Sequence, residues 1–128
     1  MKIRYVSVTV NDQARALEFY TNVLGFVKHV DVAMGGDTRW LSVIEPGNPN
    51  VELLLEPIGF PPAAIYQRAL FDAGIPVTAL VSADLAADYR RIALLGAVFR
   101  GEPTRQGPVL VAVLEDTCGN LVQLIQPV

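Results

Sequence analysis

The chain contains a single histidine, His29, and a single cysteine, Cys118, so its means for nucleophilic and metal chemistry are few. One histidine excludes every metal motif built from several histidines, and one cysteine excludes an internal disulfide and a cysteine-rich zinc site. Cys118 has no histidine near it in sequence to activate the thiol, which argues against a nucleophilic role. We interpret His29, on a predicted strand, as a partly exposed or hydrogen-bonded residue and not as a catalytic one.

The only tryptophan, Trp40, lies on a predicted strand beside Arg39. Neighbouring strand residues point to opposite faces, and the pattern does not say which of the two faces inward. Trp40 is therefore either a core residue or a stacking platform for a ligand.

Residues 5–26 predict the unit around which the chain is organised: a strand, a cap, a helix and a glycine stop. Val6, Val8 and Val10 alternate with Tyr5, Ser7 and Thr9, so one strand face is aliphatic and the other is mixed. Asp12 is placed to cap the helix, whose apolar stripe is typical of packing on the valine face, and Gly25 ends it.

Three more strands are predicted at 27–32, 39–44 and 51–55, with a loop at 34–37 and a turn at 45–50. A stiff connector at 58–62 precedes a linker helix at 63–73. The strand–helix unit then returns, with a strand at 77–84, the capping residue Asp84, a helix at 85–95 and a stop at Gly96.

Later segments also repeat at nearly constant spacing. Val43-Ile44-Glu45 returns at 113–115, an offset of 70, and Val51-Glu52-Leu53-Leu54 returns at 122–125, an offset of 71. Two tandem βαβββ modules of an α+β fold are the better interpretation, although strand–helix units with glycine stops are common. We expect one domain over 1–128, with module 1 at about 1–57, the linker helix at about 58–75 and module 2 at about 76–128.

Composition narrows the class of protein further. A hydrophobic content of 52% with 18% charged residues is typical of a compact globular chain. The net charge of −3 with scattered basic residues does not fit a nucleic-acid partner, and no apolar run is long enough to cross a membrane. The N-terminus has no long apolar region of a signal peptide, so we expect a cytoplasmic protein.

In the order and spacing of its motifs the chain resembles the vicinal oxygen chelate superfamily, the glyoxalase/bleomycin resistance protein/dioxygenase group. The resemblance covers nearly the whole chain and is carried by segments 5–13, 16–20, 23–26, 39–43, 46–47, 51–53 and 116–124. It implies curved mixed sheets that enclose a cleft, with the helix of each module on one sheet face. Val6, Val8 and Val10 would then face the helix, and the cleft would be lined by Tyr5, Ser7, Trp40, Leu54, Val77, Gln123 and Ile125.

The resemblance also implies four positions where metal-dependent members hold a divalent ion: Tyr5, Glu52, Val77 and Gln123. Glu52 is an ordinary metal ligand, and Gln123 offers a weak carbonyl donor. The Tyr5 phenol would have to lose its proton, and Val77 has no donor atom. Since a catalytic metal usually needs three protein ligands, the resemblance leaves this site incomplete.

Without a metal, Glu52 could act as a general base for an enolisation or epimerisation, with Tyr5 and Gln123 holding substrate oxygens. The alternative is structural: Glu52 bonds to Tyr5 or Gln123 across the cleft. The structural alternative is favoured because a lone carboxylate without a partner base is weak evidence of catalysis.

Two functions follow from the resemblance. The first is a protein that binds a small organic molecule in its cleft without a cofactor, in the manner of bleomycin resistance proteins. The second is a metal-dependent lyase, isomerase or dioxygenase with Zn, Ni, Mn or Fe on an atypical site that includes Glu52 and Gln123. The resemblance also implies a homodimer, with the modules paired either within one chain or across the dimer.

Overall fold

Two βαβββ modules are present in the computed structural model, which describes residues 1–128 and confirms the α+β fold. The first contains β1 (Tyr5–Val10), α1 (Gln13–Glu18) with a π-helical segment (Phe19–Val23), β2 (Val27–Ala33), β3 (Arg39–Glu45) and β4 (Asn48–Pro57). The second contains β5 (Thr78–Val81), α3 (Leu85–Leu94), β6 (Thr104–Gln106), β7 (Val109–Glu115) and β8 (Leu121–Pro127). In the chain, α2 (Pro61–Asp72) connects the two modules.

Each module forms one four-stranded mixed sheet. The strand order is β1-β4-β3-β2 in the first sheet and β5-β8-β7-β6 in the second, with the first-named pair parallel and the others antiparallel. The chain divides into two compact units, Met1–Gln67 and Arg68–Val128, so the boundary falls within α2.

The caps predicted from the sequence are present in both modules. The Asp12 carboxylate accepts from the Arg15 amide at 2.9 Å, and Asp84 accepts from the Ala87 amide at 3.0 Å. These bonds satisfy amides that have no partner within the helix and so set where α1 and α3 begin.

The alternation along β1 separates two environments. Val8 and Val10 are buried, as are the apolar side chains of α1 and of β3 and β4 on the same sheet face: Ala16, Phe19, Tyr20, Leu41, Val43, Leu53 and Leu55. We expected the helix to cover Val6, Val8 and Val10, but Val6 is 43% exposed, so only the other two are covered. The second unit buries the corresponding apolar set: Leu85, Ile92, Val111, Leu114, Leu121, Val122 and Leu124.

Several boundaries differ from the predicted ones. The turn predicted at 45–50 is reduced to residues 46–47, because β4 begins at Asn48. The helix predicted at 63–73 is Pro61–Asp72, since a proline fits the first helical turn, where its missing N–H is not needed. The strand β6 was not predicted, because its residues are all exposed and carry no apolar alternation.

We expect Gly25→Ala to lower the free energy of unfolding by about 1–2 kcal/mol. Gly25 has φ +88°, a conformation that an L side chain disfavours, while a Cβ there would meet nothing within 4 Å. The loss is therefore backbone strain alone, measurable by urea denaturation. Gly101→Ala is the matched control, since Gly101 has equally open surroundings without the positive φ; an equal loss in both variants would contradict the explanation.

Candidate functional site

The open face of the first sheet, opposite α1, carries most of the polar and aromatic residues of interest. In the parallel register of β1 and β4, Tyr5 lies opposite Glu52, Ser7 opposite Leu54 and Thr9 opposite Glu56. Ser42 of β3 lies opposite Leu54, so it and Trp40 share this face. We call this set of side chains the open face: Tyr5, Ser7, Thr9, Trp40, Ser42, Glu52, Leu54 and Glu56.

Glu52 is the centre of a polar cluster on the open face and is only 2% exposed. Its Oε2 accepts from Arg4 Nε at 3.1 Å, and its Oε1 accepts from the Ser42 hydroxyl at 2.8 Å. His29 Nε2 lies 4.0 Å from the same Oε1. The buried carboxylate is therefore compensated by a guanidinium and a hydroxyl, as buried charges require. We call Arg4, His29, Ser42 and Glu52 the Glu52 cluster.

The structural role predicted for Glu52 involves different partners from those expected. Its hydrogen bonds go to Arg4 and Ser42 of its own unit, and Tyr5 is not among its partners. Nor is the carboxylate without a base nearby, because His29 approaches it. The β-bulge between Lys28 and Val30 explains this approach, since a bulge redirects side chains relative to regular alternation.

Tyr5 and Trp40 form an aromatic pair beside this cluster. Their ring centroids are 6.1 Å apart in an edge-to-face arrangement, and the side chains are 52% and 42% exposed. The Arg4 guanidinium lies 5.8 Å from the Tyr5 ring centroid. Trp40 is therefore a surface aromatic on the open face and not a core residue, which leaves it available to stack against a ligand.

A cavity of about 280 Å³ opens next to Trp40. Its lining combines apolar side chains with a few polar ones: Met34, Thr38, Arg39, Trp40, Leu41, Leu54, Leu55, Glu56 and Pro57. Glu56 is held by the Ser7 hydroxyl at 3.1 Å. Such a lining, mainly apolar with a few oriented polar groups, is typical of small-molecule sites.

Gln13 fixes the backbone that forms this cavity. Its Nε2 donates to the carbonyls of Arg39 at 2.7 Å and Leu55 at 2.8 Å, and its Oε1 accepts from the Arg39 amide at 3.0 Å. Arg39 Nη1 lies 3.5 Å from Asp31 Oδ2, while its Nη2 is buried without a hydrogen-bond partner. The first residue of α1 thus joins the beginning of β3 to the end of β4.

The remaining predicted site residues belong to the second unit. The Val77 amide donates to the Leu121 carbonyl at 2.9 Å, while Gln123 lies opposite Ala79 and Ile125 opposite Val81. Glu52 lies opposite Tyr5, so the repeat would place Gln123 opposite Val77, the counterpart of Tyr5. Gln123 instead lies opposite Ala79 of β5, so the sequence repeat does not give the strand register. A sequence offset misses this because it counts residues along one strand and not the pairing between two.

The residues at the four metal positions do not fit a divalent ion. Both carboxylate oxygens of Glu52 already have donors, and the Val77 side chain has no ligating atom. No group of three or more His, Cys, Asp or Glu side chains could hold a metal. The free thiol of Cys118 is fully buried.

Sequence reasoning did not assign Arg4, Gln13 or Ser42 to the site, and it set His29 aside. Arg4 and Ser42 are distant from each other in sequence and carry no motif, and Gln13 reads as an ordinary residue of the first helical turn. The only signal was position: Arg4 directly precedes the first predicted strand, and Ser42 lies on the predicted strand that carries Trp40.

No helix of the structure is both long and apolar enough to span a membrane.

Known proteins are similar to this chain in both sequence and fold. The chain is 46% identical over 127 residues to the protein YurT of Bacillus subtilis (strain 168), covering 98% of this chain and 99% of YurT. Among solved structures, UcmS2 superposes with a TM-score of 0.84 at 30% identity, covering 98% of this chain and 97% of UcmS2. TnmS3, described as an antibiotic binding protein from Streptomyces sp. CB03234, gives a TM-score of 0.78 at 28% identity over 100% of this chain and 97% of TnmS3.

The family model for the superfamily matches residues 2–124, nearly the whole chain. The match agrees with the two βαβββ modules and with the resemblance noted in the sequence motifs. The chain belongs to the Glyoxalase/Bleomycin resistance protein/Dioxygenase superfamily.

Proposed function

We propose that the protein binds a small organic molecule in the cavity beside Trp40, with the aromatic part of the ligand against the Tyr5–Trp40 pair. The observation that carries the proposal is a cavity of about 280 Å³ lined in part by Trp40, whose half-exposed ring pairs with the ring of Tyr5. A ligand that covered both rings would remove a large apolar area from water, which is favourable at about 25 cal/mol per Å².

The polar groups of the cavity support recognition in addition to burial. The Glu56 carboxylate and the Thr38 hydroxyl belong to the lining, and Glu56 is oriented by Ser7. A few oriented polar groups among apolar walls select ligands by hydrogen bonding, because a ligand without matching groups would leave them unpaired. The description of the similar protein TnmS3 as antibiotic-binding also supports a small-molecule ligand for this chain.

The sole tryptophan makes the test direct. Trp40 is the only tryptophan in the chain, so its fluorescence reports on the cavity without interference from other sites. A panel of neutral, cationic and anionic aromatic compounds would be screened by Trp40 fluorescence, with hits confirmed by isothermal titration calorimetry. The proposal expects saturable, stoichiometric binding of at least one class.

We expect Trp40→Ala to weaken the affinity for a confirmed ligand by about 10- to 30-fold, since truncating a buried aromatic anchor costs about 1.4–2 kcal/mol of binding. Calorimetry measures the effect, because the variant lacks the fluorescent reporter. Phe60→Ala is the matched control: Phe60 is also an exposed aromatic of the first unit but does not line the cavity. Equal losses in both variants, or none in Trp40→Ala, would refute the assignment.

The homodimer, the cytoplasmic location and a cleft enclosed by both modules stay predictions. The same holds for the absence of a cofactor. Our proposal requires none of them, because the aromatic pair and the cavity lie within the first unit.

A further inference from the structure

The Glu52 cluster presents unused hydrogen-bond donors at the surface. Arg4 donates only its Nε–H to Glu52. Its terminal N–H groups have no protein partner, and the side chain is 36% exposed. His29 makes no hydrogen bond, and its side chain is 34% exposed. Both side chains lie beside a buried carboxylate and are about one third exposed, so the terminal N–H groups of Arg4 and the imidazole of His29 remain accessible to a ligand.

These donors lie next to the proposed ligand site. The Arg4 guanidinium is 5.8 Å from the Tyr5 ring, and the Tyr5 ring is 6.1 Å from that of Trp40, which lines the cavity. A bicyclic aromatic ligand is about as long as each of these separations. One that stacks on the aromatic pair therefore places a substituent within reach of Arg4.

Charge favours an oxygen acceptor at this end of the site. Ser42 and Arg4 already compensate the buried Glu52 carboxylate, so the partly exposed groups of the cluster are the guanidinium of Arg4 and the imidazole of His29. A guanidinium oriented in advance by a carboxylate binds a second carboxylate with little loss of side-chain entropy. The carboxylate of Glu56 lies at the cavity, four residues along the strand from Glu52, and is not part of the Glu52 cluster.

We propose that the ligand is an aromatic acid whose carboxylate or phenolate oxygen is bound by the N–H groups of Arg4 and His29. Glu52 is a positioning residue in this arrangement, because it touches Arg4 and not the ligand. The inference rests on the proposed binding function and specifies the class of its ligand.

The test compares 2-naphthoate with its neutral isostere 2-naphthamide by isothermal titration calorimetry on the full chain. The two probes have the same ring system and differ in the group that would meet Arg4. We expect 2-naphthoate to bind about tenfold more tightly, the effect of one to two charge-assisted hydrogen bonds. The pair of probes separates the inference from the proposed function, since both should occupy the aromatic site.

Variants then assign the preference to the cluster. Arg4→Met combined with Glu52→Leu removes both charges together, which avoids leaving a buried carboxylate unpaired. In this variant the preference for 2-naphthoate should fall below about threefold, while 2-naphthamide should still bind. His29→Leu should lower the preference by about threefold. Arg68→Met with Asp72→Leu, an exposed ion pair on α2, is the matched control and should change nothing.

Equal affinities for the two probes, or a preference that survives in the Arg4→Met, Glu52→Leu variant, would overturn the inference and leave the aromatic site intact. Failure of both probes at millimolar concentration, together with an empty ligand screen, would overturn the proposed function as well. A thermal melt of each variant shows that it is folded. If the double variant unfolds, the loss of preference in His29→Leu decides the same question.

Discussion

Replacing Glu52 by alanine should lower the free energy of unfolding by about 2–4 kcal/mol. Glu52 is 2% exposed, and its removal leaves a buried Ser42 hydroxyl without its acceptor and the Arg4 guanidinium without its carboxylate. Urea denaturation monitored by circular dichroism would measure the change. Glu56→Ala, on the same strand and face but exposed, is the matched control and should cost less than about 0.5 kcal/mol.

A double-mutant cycle would show how much of this loss comes from Arg4. In an Arg4→Met background, Glu52→Ala should cost about 1 kcal/mol less, a modest coupling because Arg4 is partly exposed and solvent screens the pair. Chelator treatment should not change the melting temperature of the wild type, since Arg4 and Ser42 already occupy the Glu52 oxygens. A chelator-induced loss that is absent in Glu52→Ala would show instead that Glu52 binds a metal ion.

Gln13→Ala should have an effect of similar size, about 2–4 kcal/mol, since three hydrogen bonds of a buried side chain are lost. The carbonyls of Arg39 and Leu55 and the amide of Arg39 lose their hydrogen-bond partner at a position that water reaches poorly. Gln106→Ala, at an exposed position of β6, is the control for the substitution itself and should be neutral.

The same variant connects stability with binding. Arg39 and Leu55 both line the cavity, so releasing their backbone from Gln13 should weaken ligand affinity several-fold at temperatures where the variant is still folded. Gln13→Glu preserves the shape but removes both N–H donors, and it should be at least as damaging as alanine. A stable Gln13→Glu protein with unchanged affinity would contradict the positioning role of Gln13.

Most of the fold could be predicted from local patterns. Asp12 and Asp84 cap helices because their carboxylates reach amides only three residues away, and Gly25 and Gly96 end them because their backbone conformation is local. Alternation along β1 correctly predicted that Tyr5, Ser7 and Thr9 share one strand face. The repeat of these signals was sufficient for two βαβββ modules.

Register and the partners of polar residues could not be predicted in the same way. The repeat between Glu52 and Gln123 suggested equivalent positions, yet Glu52 lies opposite Tyr5 and Gln123 opposite Ala79. Pairing between strands depends on turns and bulges, and neither shows in a comparison of two strand sequences. The bulge in β2 is also the reason that His29 approaches Glu52.

The sequence by itself determined the family, the two modules and the residue types available to the site: one imidazole, one thiol, one indole and, at the four metal positions, one carboxylate. It did so because caps, stops and alternation involve atoms that are close along the chain. Only the tertiary structure decided what these residues do. Glu52 is buried between Arg4 and Ser42, 48 and 10 residues away in sequence, and no local pattern records a contact at that separation.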